Sequence, residues 1–382
     1  MRKYIAIIAT LALLPVASSP AHAEPKLGAV CKREGELAHM PTGLLVCTKV
    51  GKILKYVKGQ ASTSGPVLPQ IADKNVDPTV LKAFNAYDHQ SCKAKHPNFT
   101  ATYLTSPTYS PAMLAQQKVL FEQAMSCYNA YFDKSVNINI ALLTENDYDF
   151  LAAQMTGGTP TFDAIQLRWA KFMMDRINSG AGRFAGSAGW STSTNSAWVL
   201  MIDSTKSTVP DAHGAAHEFV HILQSYSKSG LFPFYGDGAN DDTYVNLPNW
   251  FWEGTAELFS YASISNSAGT FSAQMAEART QGNGAPTLNK ISTTSEVIKT
   301  LTSLKAPSSQ EANSMMYALG SVASEYLLSM YGYKKYFQIM KGAAAFKDFD
   351  ENLKSAIGLS QEELFTKAAP FILSQWKLTK FK

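Results

Sequence analysis

The chain is poor in the features that many function classes require. Only 4 of its 382 residues are cysteine, and no two are spaced Cys-x-x-Cys, which argues against a cysteine-built zinc knot or a thioredoxin-like redox motif. Charge of either sign is nearly balanced and forms no basic stripe, so nucleic acid and anionic surfaces are not the expected partners. Beyond the first 16 residues no apolar run approaches the roughly 18 needed to cross a bilayer. The glycine-rich stretch SGAGRFAGSAGW (179–190) departs from G-x-G-x-x-G and follows a helical pattern instead of a strand, so it reads as a loop and not as a phosphate cradle. No internal repeat is present. Histidine, of which there are 7, does not occur after His221.

The first 23 residues have the pattern of a secretory signal peptide. Arg2 and Lys3 precede an almost unbroken apolar run from Tyr4 to Val16, and Ala21-His22-Ala23 is a small-x-small cleavage site. Export is therefore expected, with cleavage after Ala23 and no later transmembrane segment. Removing Arg2 and Lys3 from the 34 basic side chains leaves 32 against 30 acidic ones. In an oxidising compartment the cysteines are expected as bridges, Cys31 with Cys47 and Cys92 with Cys127, each pair within one compositional block. Residues 24–58 read as a small two-cysteine β module, a candidate for cell-surface attachment, with a hairpin about Val50-Gly51. The Ser/Gly/Pro-rich 59–76 reads as a linker. From residue 77 to 382 the patterns are helical around 78–95, 111–132 and 162–177, with strands at 135–143 and 197–204 and helices almost throughout thereafter. Strands early and helices late predict an α+β domain of roughly 300 residues.

What the chain does contain is AAHEFVHILQ (215–224). Its His-Glu-x-x-His puts His217 and His221 one helical turn apart on one face, with Glu218 beside them, and Pro210-Asp211 marks the helix start. A catalytic zinc site needs three protein ligands and an open position. Gln224 and Ser227 stand where a Gly and a third His would complete the longer His-x-x-Gly-x-x-His pattern, which excludes that class. A following helix, NWFWEGTAELFSY (249–261), offers Glu253 and Glu257 four apart on one face. That spacing lets the first bind metal while the second hydrogen-bonds a ligand histidine.

His217-Glu218-x-x-His221 followed by Trp250-x-x-Glu253-Gly254-x-Ala256-Glu257 resembles the gluzincin clan of zinc metallopeptidases. The resemblance implies a zincin-like domain, zinc held by His217, His221 and Glu253, Glu257 orienting a ligand, and a peptide or protein as substrate. The 31 residues between His221 and Glu253 exceed the gap usual in the aminopeptidase and thermolysin-like branches and are nearer to that of the collagenase-like branch. The aromatic and Gly-rich insert 225–248 is expected to border the cleft. Zinc on such ligands keeps the Lewis acidity that makes hydroxide available near neutrality, and Glu218 is the expected general base.

The oxyanion needs a further donor, and no histidine follows His221 to supply it. Tyr317, in a Tyr-x-x-Gly context resembling the Tyr-x-Lys-Gly segment of the clan's aminopeptidases, is the candidate; Tyr326, Tyr331 and Tyr333 are the alternatives. The clan also implies an edge strand that binds substrate backbone. The strand AWVLMIDS is the candidate, its Trp198 and Met201 either lining subsites or lying in the core. His213 reads as structural. No Gly-x-Met-Glu-Asn segment precedes His217, which favours endopeptidase over aminopeptidase action. The competing reading is an inactive surface or binding protein on the same fold, whose expected signature, loss of Glu218 or a ligand, is not seen.

Overall fold

A computed structural model describes residues 26, 28–30, 37–40, 43–50, 53–58, 76–93, 95–156, 164–180, 184–191, 196–207, 210–227, 247–280, 290–304, 310–343 and 348–379. The chain divides into two units, Met1–Pro69 and Gln70–Lys382. In the first, strands β1 (Leu37–Met40), β2 (Gly43–Val50) and β3 (Ile53–Lys58) form an antiparallel meander in that order. Val50 pairs with Ile53, the register of a two-residue hairpin at the expected place. The signal peptide, Cys31 and hence its pairing with Cys47, the linker up to residue 75 and most of the 225–248 insert lie outside the described residues.

The second unit opens with α1 (Pro78–Ala86), where Asp77 Oδ1 accepts from the Thr79 backbone N–H at 2.8 Å and Pro78 occupies the first turn. There follow β4 (Phe99–Thr105), α2 (Pro111–Tyr128), β5 (Val136–Thr144), α3 (Tyr148–Thr156), α4 (Ala164–Asn178), β6 (Phe184–Ser191) and β7 (Ser196–Asp203). The Cys92–Cys127 disulfide joins the short turn before β4 to the last turn of α2, as expected. The four strands form one sheet in the order β4-β5-β7-β6, with β4, β5 and β7 parallel and β6 antiparallel at the edge.

That order corrects two expectations. AWVLMIDS is an interior strand, not an edge. Ala197, Val199 and Met201 pack into the main core, while Trp198, Leu200 and Ile202 pack on the opposite face with residues of α3 and α4. A strand covered on both faces reads as a continuous apolar run, and this is the physical source of the pattern. Trp198 and Met201 are therefore buried on opposite sides of the sheet and line no substrate groove. The edge beside β7 is β6, made from the glycine-rich stretch that reads as a loop, because Gly and Ala carry little strand propensity of their own.

Helices then dominate: α5 (Ala212–Ser227), α6 (Asn249–Ile264), α7 (Ala268–Thr280), α8 (Thr294–Ser303), α9 (Gln310–Gly342, interrupted at Gly332 with φ 72°), α10 (Phe349–Ile357) and α11 (Gln361–Thr379). Strands lie early and helices late, a mixed α and β architecture with a small sheet, and in that coarse form the expectation holds. Helix α5 starts where Asp211 Oδ1 accepts from the Gly214 backbone N–H at 3.1 Å, and it buries Phe219, Val220, Ile222 and Leu223. Phe219 stacks on Tyr128 of α2 and meets Phe99 of β4 edge-on, which fixes α5 against both. No helix among the described residues is long and apolar enough to cross a membrane.

Candidate metal centre

Helices α5 and α6 cross with the two halves of the sequence motif facing each other. His217 Nε2 lies 3.1 Å from His221 Nε2 and 3.2 Å from Glu253 Oε2, and His221 Nε2 lies 3.4 Å from the same oxygen. Three donors thus form a nearly equilateral triangle. Donors held about 2.0–2.1 Å from one tetrahedral zinc stand about 3.3–3.4 Å apart, so the spacing fits one small divalent ion. All three residues are buried, and the described residues hold this group of potential metal ligands together with a second, His213, His217 and Glu257.

Electrostatics points the same way. Glu218, Glu253 and Glu257 are all buried, and none forms an ion pair with Lys or Arg among the described residues. Three desolvated carboxylates without a cation are expensive. Burial alone would raise the Glu253 carboxyl, yet the His221 and His217 imidazoles beside it pull it well below the usual carboxylate range. Burial would likewise raise Glu257, but His213 and His217 bring it down to about 2. Burial lowers His217, and the Glu253 and Glu257 carboxylates outweigh it, holding the imidazole well above its ordinary value. A bound metal ion would displace that proton, because imidazole ligates in its neutral form. Glu218 is raised by burial, which the charges of His217 and His221 only partly offset. Its Oε2 has no hydrogen-bond partner among the described residues.

The outer contacts set which ring nitrogens are bare. Gln224 Nε2 donates to the Trp252 carbonyl at 2.7 Å, so its amide oxygen faces His221 and accepts from Nδ1–H, also at 2.7 Å. With Nδ1 carrying the hydrogen, His221 presents a lone pair on Nε2 toward the donor triangle. Glu257 Oε1 stands 3.2 Å from His217 Nδ1, in ion-pair contact but not aligned as a hydrogen bond. Each imidazole also has an aromatic face against it: Trp252 on His221 at 5.2 Å and 12°, Tyr317 on His217 at 5.9 Å and 29°, and Tyr261 on His213 at 4.0 Å and 17°.

Two glycines make these approaches possible. A Cβ on Gly254 would lie 2.3 Å from the Gly320 backbone, so α6 and α9 touch main chain to main chain. Tyr317, one turn before Gly320, is brought to His217 by that crossing. A Cβ on Gly186 of β6 would lie 2.4 Å from Glu218 Oε1, so the edge strand is bare where the Glu218 side chain lies against it. Of the alternative tyrosines, Tyr326 packs beside Phe371, and Tyr333 sits in an aromatic cluster with Tyr87, Tyr131, Phe259 and Phe337. Sequence reasoning missed Gln224, Trp252 and Tyr261 as neighbours of the site and Gly186 as the gap for Glu218. Gln224 at i+3 from His221 was the one with a legible spacing.

Comparison of the chain with protein-family models, with characterised proteins and with solved structures returns no match in any of the three, so the reading of this centre stands on its own geometry.

Proposed function

We propose that this chain is an exported zinc-dependent peptidase of the gluzincin type, cleaving within peptide or protein chains. The observation that carries the reading is the triangle of His217, His221 and Glu253 donors set among buried carboxylates that no Lys or Arg neutralises among the described residues. A zinc ion held there supplies Lewis acidity, which makes water acidic near neutrality. Glu218 is the group that takes a proton from the attacking water and returns it to the leaving amine. A buried carboxyl with a raised proton affinity and an oxygen without a partner among the described residues suits both steps. Tyr317, half-buried with its ring on His217, is the candidate donor to the oxyanion.

Substrate positioning falls to β6. Its outer side has no strand partner among the described residues, and Gly186 in that strand adjoins Glu218. A peptide pairing along this edge would run past the general base, in keeping with internal cleavage. The Cys92–Cys127 bridge suits an oxidising compartment, in keeping with export.

The test is cleavage of casein by purified protein together with its zinc content. One equivalent of zinc is expected in the wild type and in Glu218→Gln. Activity should fall by at least about a hundredfold in Glu218→Gln and by a comparable factor in Tyr317→Phe. Full activity in Glu218→Gln, or no zinc in the wild type, overturns the reading.

A further inference from the structure

His213 lies one turn before His217 on the same face of α5, and it belongs to no part of the His-Glu-x-x-His or Glu-Gly-x-Ala-Glu patterns. Its ring is seated flat on Tyr261 of α6, and its Nε2 stands 3.3 Å from Glu257 Oε2. The other oxygen of the same carboxylate faces His217 Nδ1 at 3.2 Å. Glu257 is thus held between two successive turns of α5, one oxygen to each imidazole. The His213–Glu257 contact is within ion-pair distance but not aligned as a hydrogen bond, neither His213 Nε2 nor Glu257 Oε2 has a hydrogen-bond partner among the described residues, and Glu257 is 1% exposed.

We propose that His213 is a positioning residue of the metal centre: by donating to Glu257 Oε2 it fixes the carboxylate that orients His217. The inference rests on the metal reading above and extends it by one shell. A carboxylate anchored at a single oxygen can rotate about its last bond and carry the His217 ring with it. Anchored at both, it holds that ring with Nε2 toward Glu253 and His221. Partners of ligating histidines are worth about ten- to a hundredfold in metal affinity.

The alternative role for His213 is packing on Tyr261, and two substitutions separate the roles. Phenylalanine keeps a flat ring on Tyr261 and removes the donor; glutamine removes the ring and keeps a donor near the Nε2 position. The full chain is purified in wild-type, His213→Phe, His213→Gln and Glu253→Gln forms. Zinc affinity is measured by chelator competition, and stoichiometry by elemental analysis. Circular dichroism of the zinc-free forms monitors folding. Positioning predicts that His213→Phe loses about ten- to a hundredfold in zinc affinity while folded and that His213→Gln stays within a few-fold of wild type. His213→Phe binding like wild type, or His213→Gln weaker than His213→Phe, overturns the proposal. If His213→Phe does not fold, a folded His213→Gln with wild-type affinity supports the donor role, and one with weakened affinity refutes it. Two equivalents of zinc, one of them lost in His213→Phe, would make His213 a ligand and overturn the positioning role. A wild type whose zinc affinity does not depend on Glu253 would remove the underlying metal reading as well, and that outcome is distinct from the others.

Discussion

Asp203 closes β7 at the end of the parallel strands, where Tyr109 donates to it at 2.5 Å and Gln117 at 3.3 Å. Burial raises its carboxyl from 3.8 to about 6, with the two hydrogen bonds opposing the rise. The folded state therefore holds a proton more tightly than the unfolded chain does. The resulting stabilisation is complete below pH 3.8 and is lost as pH rises through about 6. Its size is on the order of 3 kcal/mol, since each tenfold gain in proton affinity corresponds to about 1.4 kcal/mol. Asp203→Asn mimics the neutral acid. In urea unfolding the variant is expected to match wild type near pH 4 and to exceed it by up to that amount at pH 7. Parallel pH profiles for the two proteins would refute this. The same contrast between burial and partner explains why neighbouring Asp147 goes the other way: burial raises it, but Ser106, Thr108 and Thr144 donate enough hydrogen bonds to lower it overall.

Helices α6 and α9 meet at Gly254 and Gly320, and a Cβ on either would strike backbone, not a side chain that can rotate aside. The only relief for Gly254→Ala is separation of the helices. Overpacking of this kind costs about 1–3 kcal/mol. A lowered thermal midpoint is expected, together with reduced cleavage activity, because the same crossing brings Tyr317 to His217. An unchanged midpoint would show that the crossing tolerates a methyl group and that the Gly254 position is not set by packing. The glycine in Glu-Gly-x-Ala-Glu thus has a mechanical reason that the string of letters does not disclose. The boundary nearest the first motif was legible: α5 begins where Pro210-Asp211 signals a start, since caps and prolines act locally. Strands β4 and β6 were not. FTATYLT alternates only weakly in burial, and FAGSAGWS is too poor in branched side chains to announce a strand.

The larger unit is stapled once, by Cys92–Cys127 across 35 residues. Closing a loop of that length removes unfolded-state entropy worth about 3–4 kcal/mol in the chain-entropy model. Cys92→Ser with Cys127→Ser is expected to lower unfolding free energy by about that much while leaving zinc content intact, because neither cysteine belongs to the metal centre. Loss of zinc in the folded double variant would show that the bridge, and not the α5–α6 crossing, holds the site. Elsewhere cohesion is aromatic and apolar. Trp250 packs between Phe251, Phe349 and Phe365 and donates its indole N–H to Gln361 at 2.9 Å, drawing α6, α10 and α11 together.

His217, Glu218 and His221 were readable from four-residue spacing alone, because a helix puts i and i+4 on one face wherever it lies. Glu253 and Glu257 were readable as a pair on a second helix for the same reason. Local periodicity likewise announced β5, β7 and the helical second half. Which strand forms the sheet edge, that Trp198 and Met201 point to opposite sides of it, that Gln224 orients His221, and that His213 reaches Glu257 were decided by tertiary packing. These depend on how close two backbones come and which side chain is missing between them, as at Gly186 and Gly254. Distances between segments far apart in the chain leave no period in it to read.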